Sequence, residues 1–123
     1  MIEINSKSST PIYEQIINEI KECILKGILK PGDKLPSVRE LSTMITANPN
    51  TVAKAYKELE RSKTIEVIRG KGTFVAENYT PSPTDDKLEE LKELMKKIVI
   101  EAHYMGLDKN YLSNLLNDIY NEF

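Results

Sequence analysis

The stretch ANPNTVAKAYKELERSK, residues 47–63, decides the fold. Val52, Ala55, Tyr56 and Leu59 recur at intervals of three, one and three, which places them on one face of a helix. Asn50, Lys54, Lys57 and Arg61 recur at intervals of four, three and four on another face. Asn48 is suited to cap this helix and Pro49 to sit in its first turn. An apolar face opposed by a polar first turn with cations behind it suits the base edges and phosphates of a DNA major groove, which is wide enough to admit an α-helix. The same composition also describes an ordinary solvated face, so the neighbouring segments must decide.

Upstream, Ser37-Val38-Arg39-Glu40 has the spacing of a capping box, which predicts a short helix burying Val38, Leu41, Met44 and Ile45. Only Thr46-Ala47-Asn48 connects that helix to the next, a helix-turn-helix spacing. Farther upstream, Thr10 is expected to cap a helix with Pro11 at its first position. Its stripe of Ile12, Ile16, Ile17, Ile20 and Ile24 is apolar, and Gly27 can end it in the left-handed conformation. KPGDKLP, residues 30–36, reads as a Pro31-Gly32 turn and a short extended segment ending at Pro36. Downstream, TIEVIRGKGTFVAE, residues 64–77, contains two strand-like runs, Ile65 to Ile68 and Thr73 to Ala76, around Arg69-Gly70-Lys71-Gly72. The glycines permit positive backbone angles and close approach to a phosphate backbone, and Arg69 and Lys71 charge the tip. A basic tip can equally be a solubility device on an edge hairpin. Helix-turn-helix and basic hairpin together would face one duplex.

Three separated stretches, PIYEQIINEIKECILKGILKPGDKLPSVRELS (11–42), NPNTVAKAYKELE (48–60) and RGKGTFV (69–75), resemble in order the winged helix-turn-helix domain of GntR-family bacterial transcription regulators. The resemblance implies DNA contacts from Ser37 and Arg39, from Asn50, Thr51 and Lys54 of the recognition helix, and from the wing at Arg69, Gly70, Lys71 and Gly72. This chain departs from many members at Pro49 and Ala53, where they carry a basic residue.

Composition sets the outer limits. With 123 residues, 40% hydrophobic and 29% charged, the chain fits one compact domain plus an appendage. No apolar run reaches the ~18 residues of a membrane span, and MIEINSKSST does not read as a signal peptide. A cytoplasmic protein without a membrane partner is expected. Cys23 is the only cysteine, so neither an intrachain disulfide nor a cysteine-based zinc cluster is expected. Cys23 and His103 both read as packing residues on helices. Without Cys/His clusters, a P-loop or a dinucleotide fingerprint, catalysis has no foothold, and no enzyme activity, cofactor or metal is expected. The net charge of −2 hides an asymmetry: residues 1–79 carry 12 Lys and Arg against 10 Asp and Glu, and residues 80–123 carry 5 against 9. Between Asn48 and Ala76 the count is 6 against 3, so the positive charge surrounds the opening stretch.

NYTPSPTDD, residues 78–86, reads as a linker. Beyond it Leu88, Leu91, Met95, Ile98, Ala102 and Met105 alternate by three and four as a coiled-coil seam does. Gly106 breaks that helix, Asp108 can cap another, and Leu112, Leu115, Leu116 and Ile119 give the second an apolar face. So small a hairpin needs a partner surface, and a second copy would present two recognition helices to a two-fold operator. A seam of Leu and Met could also line a small-molecule pocket, so an effector stays open. The short tail resembles that of the YtrA-like branch, which implies dimerisation and, often, control of transporter operons.

The expected fold is mainly α with a small β-hairpin wing: a winged helix-turn-helix DNA-binding domain at 1–78, then a linker and two-helix dimerisation tail at 79–123. The expected function is a sequence-specific transcription regulator, a repressor that binds a palindromic operator as a homodimer. A winged-helix module that binds protein, with its basic face merely solvated, is the alternative.

Overall fold

The computed structural model describes residues 2–78 and 82–123, in two compact units divided between Tyr79 and Thr80. Residues 79–81 of the expected linker lie outside the described residues.

The first unit begins with helix α1, Ile12–Leu25. It starts one residue later than the sequence suggested: Pro11 is the cap residue, in extended conformation, and no side chain caps the first turn. The Thr10 carbonyl is instead taken by Gln15, whose Nε2 donates to it at 2.8 Å while the same carboxamide bonds both backbone groups of Asn5. Gly27, at φ +78, ends the helix. Its N–H reaches Ile24 O, and Ile28 N–H reaches Cys23 O, the paired bonds of a left-handed helix stop.

Helices α2, Val38–Ile45, and α3, Pro49–Arg61, form the helix-turn-helix. The capping box is present in both directions, Glu40 N–H to Ser37 Oγ at 3.0 Å and Ser37 N–H to Glu40 Oε1 at 3.2 Å. Asn48 caps α3 by accepting from Asn50 N–H at 2.8 Å. Between the helices Thr46 sits at φ +54, an uncommon conformation for a β-branched residue. Ala47 fixes it there, donating its N–H to Ser42 O and accepting from the Ser42 hydroxyl. That bond also explains a correction: Ser42 is buried, whereas Met44, expected inside, is 64% exposed.

All four expected residues of α3, Val52, Ala55, Tyr56 and Leu59, are buried against Ile16, Ile20 and Cys23 of α1 and Leu41 of α2. Ile12, Ile17 and Ile24 pack at the margin of this core. Strands β1, Lys34–Leu35, β2, Ile65–Ile68, and β3, Gly72–Val75, make an antiparallel sheet in the order β1-β3-β2. The hairpin is therefore a three-stranded wing, joined by the extended segment before Pro36, and Gly72 belongs to its last strand. Leu35, Ile65 and Val75 tie the sheet into the helical core.

Tyr56 fastens α3 to the segment ahead of α2 by donating its hydroxyl to the Pro36 carbonyl at 2.6 Å. Burial, with the Glu40 carboxylate as a smaller contribution, pushes its phenol from 10 up to about 12. A raised folded-state pKa means that this contribution is complete below pH 10 and is lost as pH climbs toward 12. Tyr56→Phe should cost about 1–2 kcal/mol at neutral pH, because the Pro36 carbonyl loses its donor. Chemical denaturation between neutral and strongly alkaline pH checks both statements: the gap between parent and variant should shrink above pH 10.

The second unit holds helices α4, Asp85–Tyr104, and α5, Lys109–Asn121. Thr84 and Asp108 cap them, the latter accepting from Tyr111 N–H at 2.9 Å. Gly106, at φ +76, separates them with the same paired bonds as Gly27: Gly106 N–H to His103 O and Leu107 N–H to Ala102 O. His103 is exposed, in edge contact with Tyr104, rather than packed inside as expected.

Candidate nucleic-acid interface

Helix α3 is held by its buried face, so its opposite face is fixed in position and open to solvent. Asn50, Lys54 and Lys57 are exposed there, and Thr51 is half-buried beside them. The cap consumes the carboxamide of Asn48 and the N–H of Asn50, leaving the Asn50 carboxamide free to address a base. Arg61, which shares the sequence stripe, is drawn aside into an ion pair with Glu58 at 2.8 Å. Lys54 is also engaged: its Nζ lies 3.9 Å from the centroid of the Tyr13 ring in the first turn of α1.

At the start of α2 the Glu40 carboxylate already occupies the positive end of the helix. The Ser37 N–H that it accepts keeps that carboxyl below the usual range, so it is charged at neutral pH. The Ser37 hydroxyl is engaged with Glu40, accepting its backbone N–H and bonding its carboxylate, so the Arg39 guanidinium is the group left to meet an anion at this helix start. Among the described residues Arg39, Lys57, Arg69 and Lys71 have no carboxylate partner within ion-pair distance.

The wing turn is closed by Lys71 N–H to Ile68 O at 2.9 Å, with Gly70 at φ +78. Gly72 pairs with Ile68 at φ +126, a conformation that side chains rarely adopt. A Cβ there would stand 3.0 Å from Lys34 Cε. Lys34 therefore lies across the wing at Gly72 and belongs with Arg69 and Lys71 as a third cation of this surface. Sequence reasoning missed it because the pairing of Lys34 with Phe74 is a contact between distant segments. Gly72→Ala should lower stability by about 1–3 kcal/mol through backbone strain. It should also weaken duplex binding by displacing Lys34, which thermal unfolding and a binding titration check together.

The expected seam residues are solvent-facing within the single chain. Leu88, Leu91, Met95, Ile98, Met105, Leu115, Leu116 and Ile119 are exposed, Leu112 is half-buried, and Ala102 alone of the set is buried. Leu94 and Val99, outside the sequence seam, widen the exposed apolar stripe of α4.

The model of the gntR family of bacterial regulatory proteins matches residues 12–75. The HTH-type transcriptional repressor YtrA of Bacillus subtilis is 56% identical over 119 residues, 97% of this chain and 92% of that protein. The crystal structure of a transcriptional antiterminator from Listeria monocytogenes superposes with a TM-score of 0.89 at 41% identity, covering 98% of this chain and 90% of the other. The DNA-binding domain of AraR in complex with operator ORR3 matches 60% of this chain and 89% of its own, at 31% identity and a TM-score of 0.53.

Proposed function

Because the chain belongs to the gntR family of bacterial regulatory proteins, in its YtrA-like branch, we propose that it represses transcription by holding a palindromic operator as a homodimer. It is a sequence-specific DNA-binding transcription regulator, and its work is binding rather than catalysis. The observation that carries the reading is the solvent face of α3, where an unpartnered Asn50 carboxamide stands ahead of Lys57 on a helix anchored from behind.

The recognition helix enters the major groove with Asn50 and Thr51 in its first turn at the base edges. Lys57 approaches phosphate, and Arg39 fixes the start of α2 on the backbone. The wing follows the adjacent backbone or minor groove with Lys34, Arg69 and Lys71, and Gly70 and Gly72 let the chain come close. Residues 79–123 supply the dimer. Two amphipathic helices with almost no buried apolar residue favour burial against the same helices of a second copy. The added width from Leu94 and Val99 suits a four-helix bundle better than a two-stranded seam. No helix among the described residues is long and apolar enough to cross a membrane, and a DNA partner favours a cytoplasmic protein.

Asn50→Ala tests the reading. Preference at one operator position should relax by ~1–3 kcal/mol while binding to unrelated duplex hardly changes. A uniform loss over all sequences would reassign Asn50 to the backbone.

A further inference from the structure

The family resemblance assigns Lys54 to DNA but gives no role to Tyr13. Tyr13 is the second residue of α1 and Lys54 the sixth of α3, so their meeting is a contact between two helices packed side by side. The Lys54 ammonium rests 3.9 Å from the Tyr13 ring centroid, within the range at which a ring face attracts a cation. Glu58, one turn after Lys54, is occupied by Arg61, so the ring is the anchor given to Lys54 among the described residues. Tyr13 itself is half-buried, with its hydroxyl donated to Glu14 at 3.3 Å, which steadies the ring that Lys54 covers.

We propose that Tyr13 is a positioning residue that holds Lys54 on the α1 flank of the recognition helix, so that Lys54 meets a phosphate and not a base edge. The proposal rests on the regulator reading above. A lysine stem laid toward the neighbouring helix carries its charge away from the line along which Asn50 enters the groove. A compact ammonium on that flank suits a phosphate, which needs a point charge, better than the paired donors and acceptors of a base. Base selection is then left to Asn50 and Thr51. Holding the ammonium in place also reduces the freedom that a four-carbon side chain must lose on binding.

Two measurements on the full chain test this. In the free protein, the side-chain methylene protons next to Nζ of Lys54 should show an upfield ring-current shift by NMR that persists in Tyr13→Phe and vanishes in Tyr13→Leu. On DNA, Lys54→Ala should weaken selected operator and scrambled duplex by the same factor, and make the salt dependence shallower by about 0.9 per site. Tyr13→Leu should weaken both duplexes by about two- to fivefold, with Tyr13→Phe close to the parent. Adding Tyr13→Leu to Lys54→Ala should cost nothing more, because the ring then has no ammonium to hold. Independent, multiplying losses would overturn the assignment, as would a Lys54→Ala effect confined to one operator base pair. A parent protein that binds no duplex would overturn the regulator reading and this assignment with it, whereas a parent that binds with uncoupled variants overturns the assignment alone.

Discussion

Removing residues 80–123 is expected to leave a folded monomer that binds its operator at least about 100-fold more weakly than the full chain. The fold should survive because the hydrophobic core from Ile16 to Val75 lies wholly in the first unit. Affinity should fall because a second, tethered reading head raises the effective concentration at the second half-site, and its loss removes that gain without touching any DNA contact. Ile98→Asp reaches the same end with one side chain. Ile98 is 57% exposed in the single chain and would be covered in the dimer, where an unpaired carboxylate costs several kcal/mol. Sedimentation should find a monomer, circular dichroism an intact set of helices in the first unit, and titration a half-site affinity. An Ile98→Asp protein that stays dimeric and binds like the parent would show that the stripe is not the interface.

Raising salt from 50 to 200 mM should weaken operator binding by about 10³- to 10⁵-fold. Lys54, Lys57, Arg69 and Lys71 from both subunits, each neutralising one phosphate at about 0.9 per contact, give a slope near −7 in log affinity against log salt. Lys34 would steepen it further. The overall charge of −2 makes this a demanding expectation, because a protein without a local basic surface would show almost no slope. Lys71→Ala should lower affinity for all sequences alike and make the slope shallower by about 0.9 per site. A flat salt response on a bound duplex would exclude docking through this face.

Local chemistry made much of this molecule legible before any coordinates. The Ser37 to Glu40 capping box, the Asn48 cap, the Gly27 and Gly106 stops and the buried face of α3 are each written within a few consecutive residues, and each appears as read. What was illegible depends on contacts that periodicity does not encode, some within a turn and some between distant segments. The turn of Ser42 inward at the expense of Met44 follows from a hydrogen bond to Ala47, set by the geometry of the turn and not by periodicity. The third wing strand requires Lys34 and Leu35 to find Phe74 and Thr73, so the cation at Gly72 could not be placed from its own neighbours. The helix start at Pro11 likewise yielded to Gln15, whose carboxamide holds the preceding loop. The exposed face of α3 was legible as a stripe, but Arg61 was drawn from it by Glu58 three residues earlier on the same helix, and Lys54 by Tyr13 of α1, which only packing shows.

Selection of bound duplexes from a random pool by the purified chain tests the central claim most directly. A dimer that seats two recognition helices should enrich a palindrome whose half-sites are centred about 10 bp or a multiple of that apart, on one side of the double helix. Failure to enrich any sequence, or enrichment of a single half-site with no symmetric partner, would contradict the account.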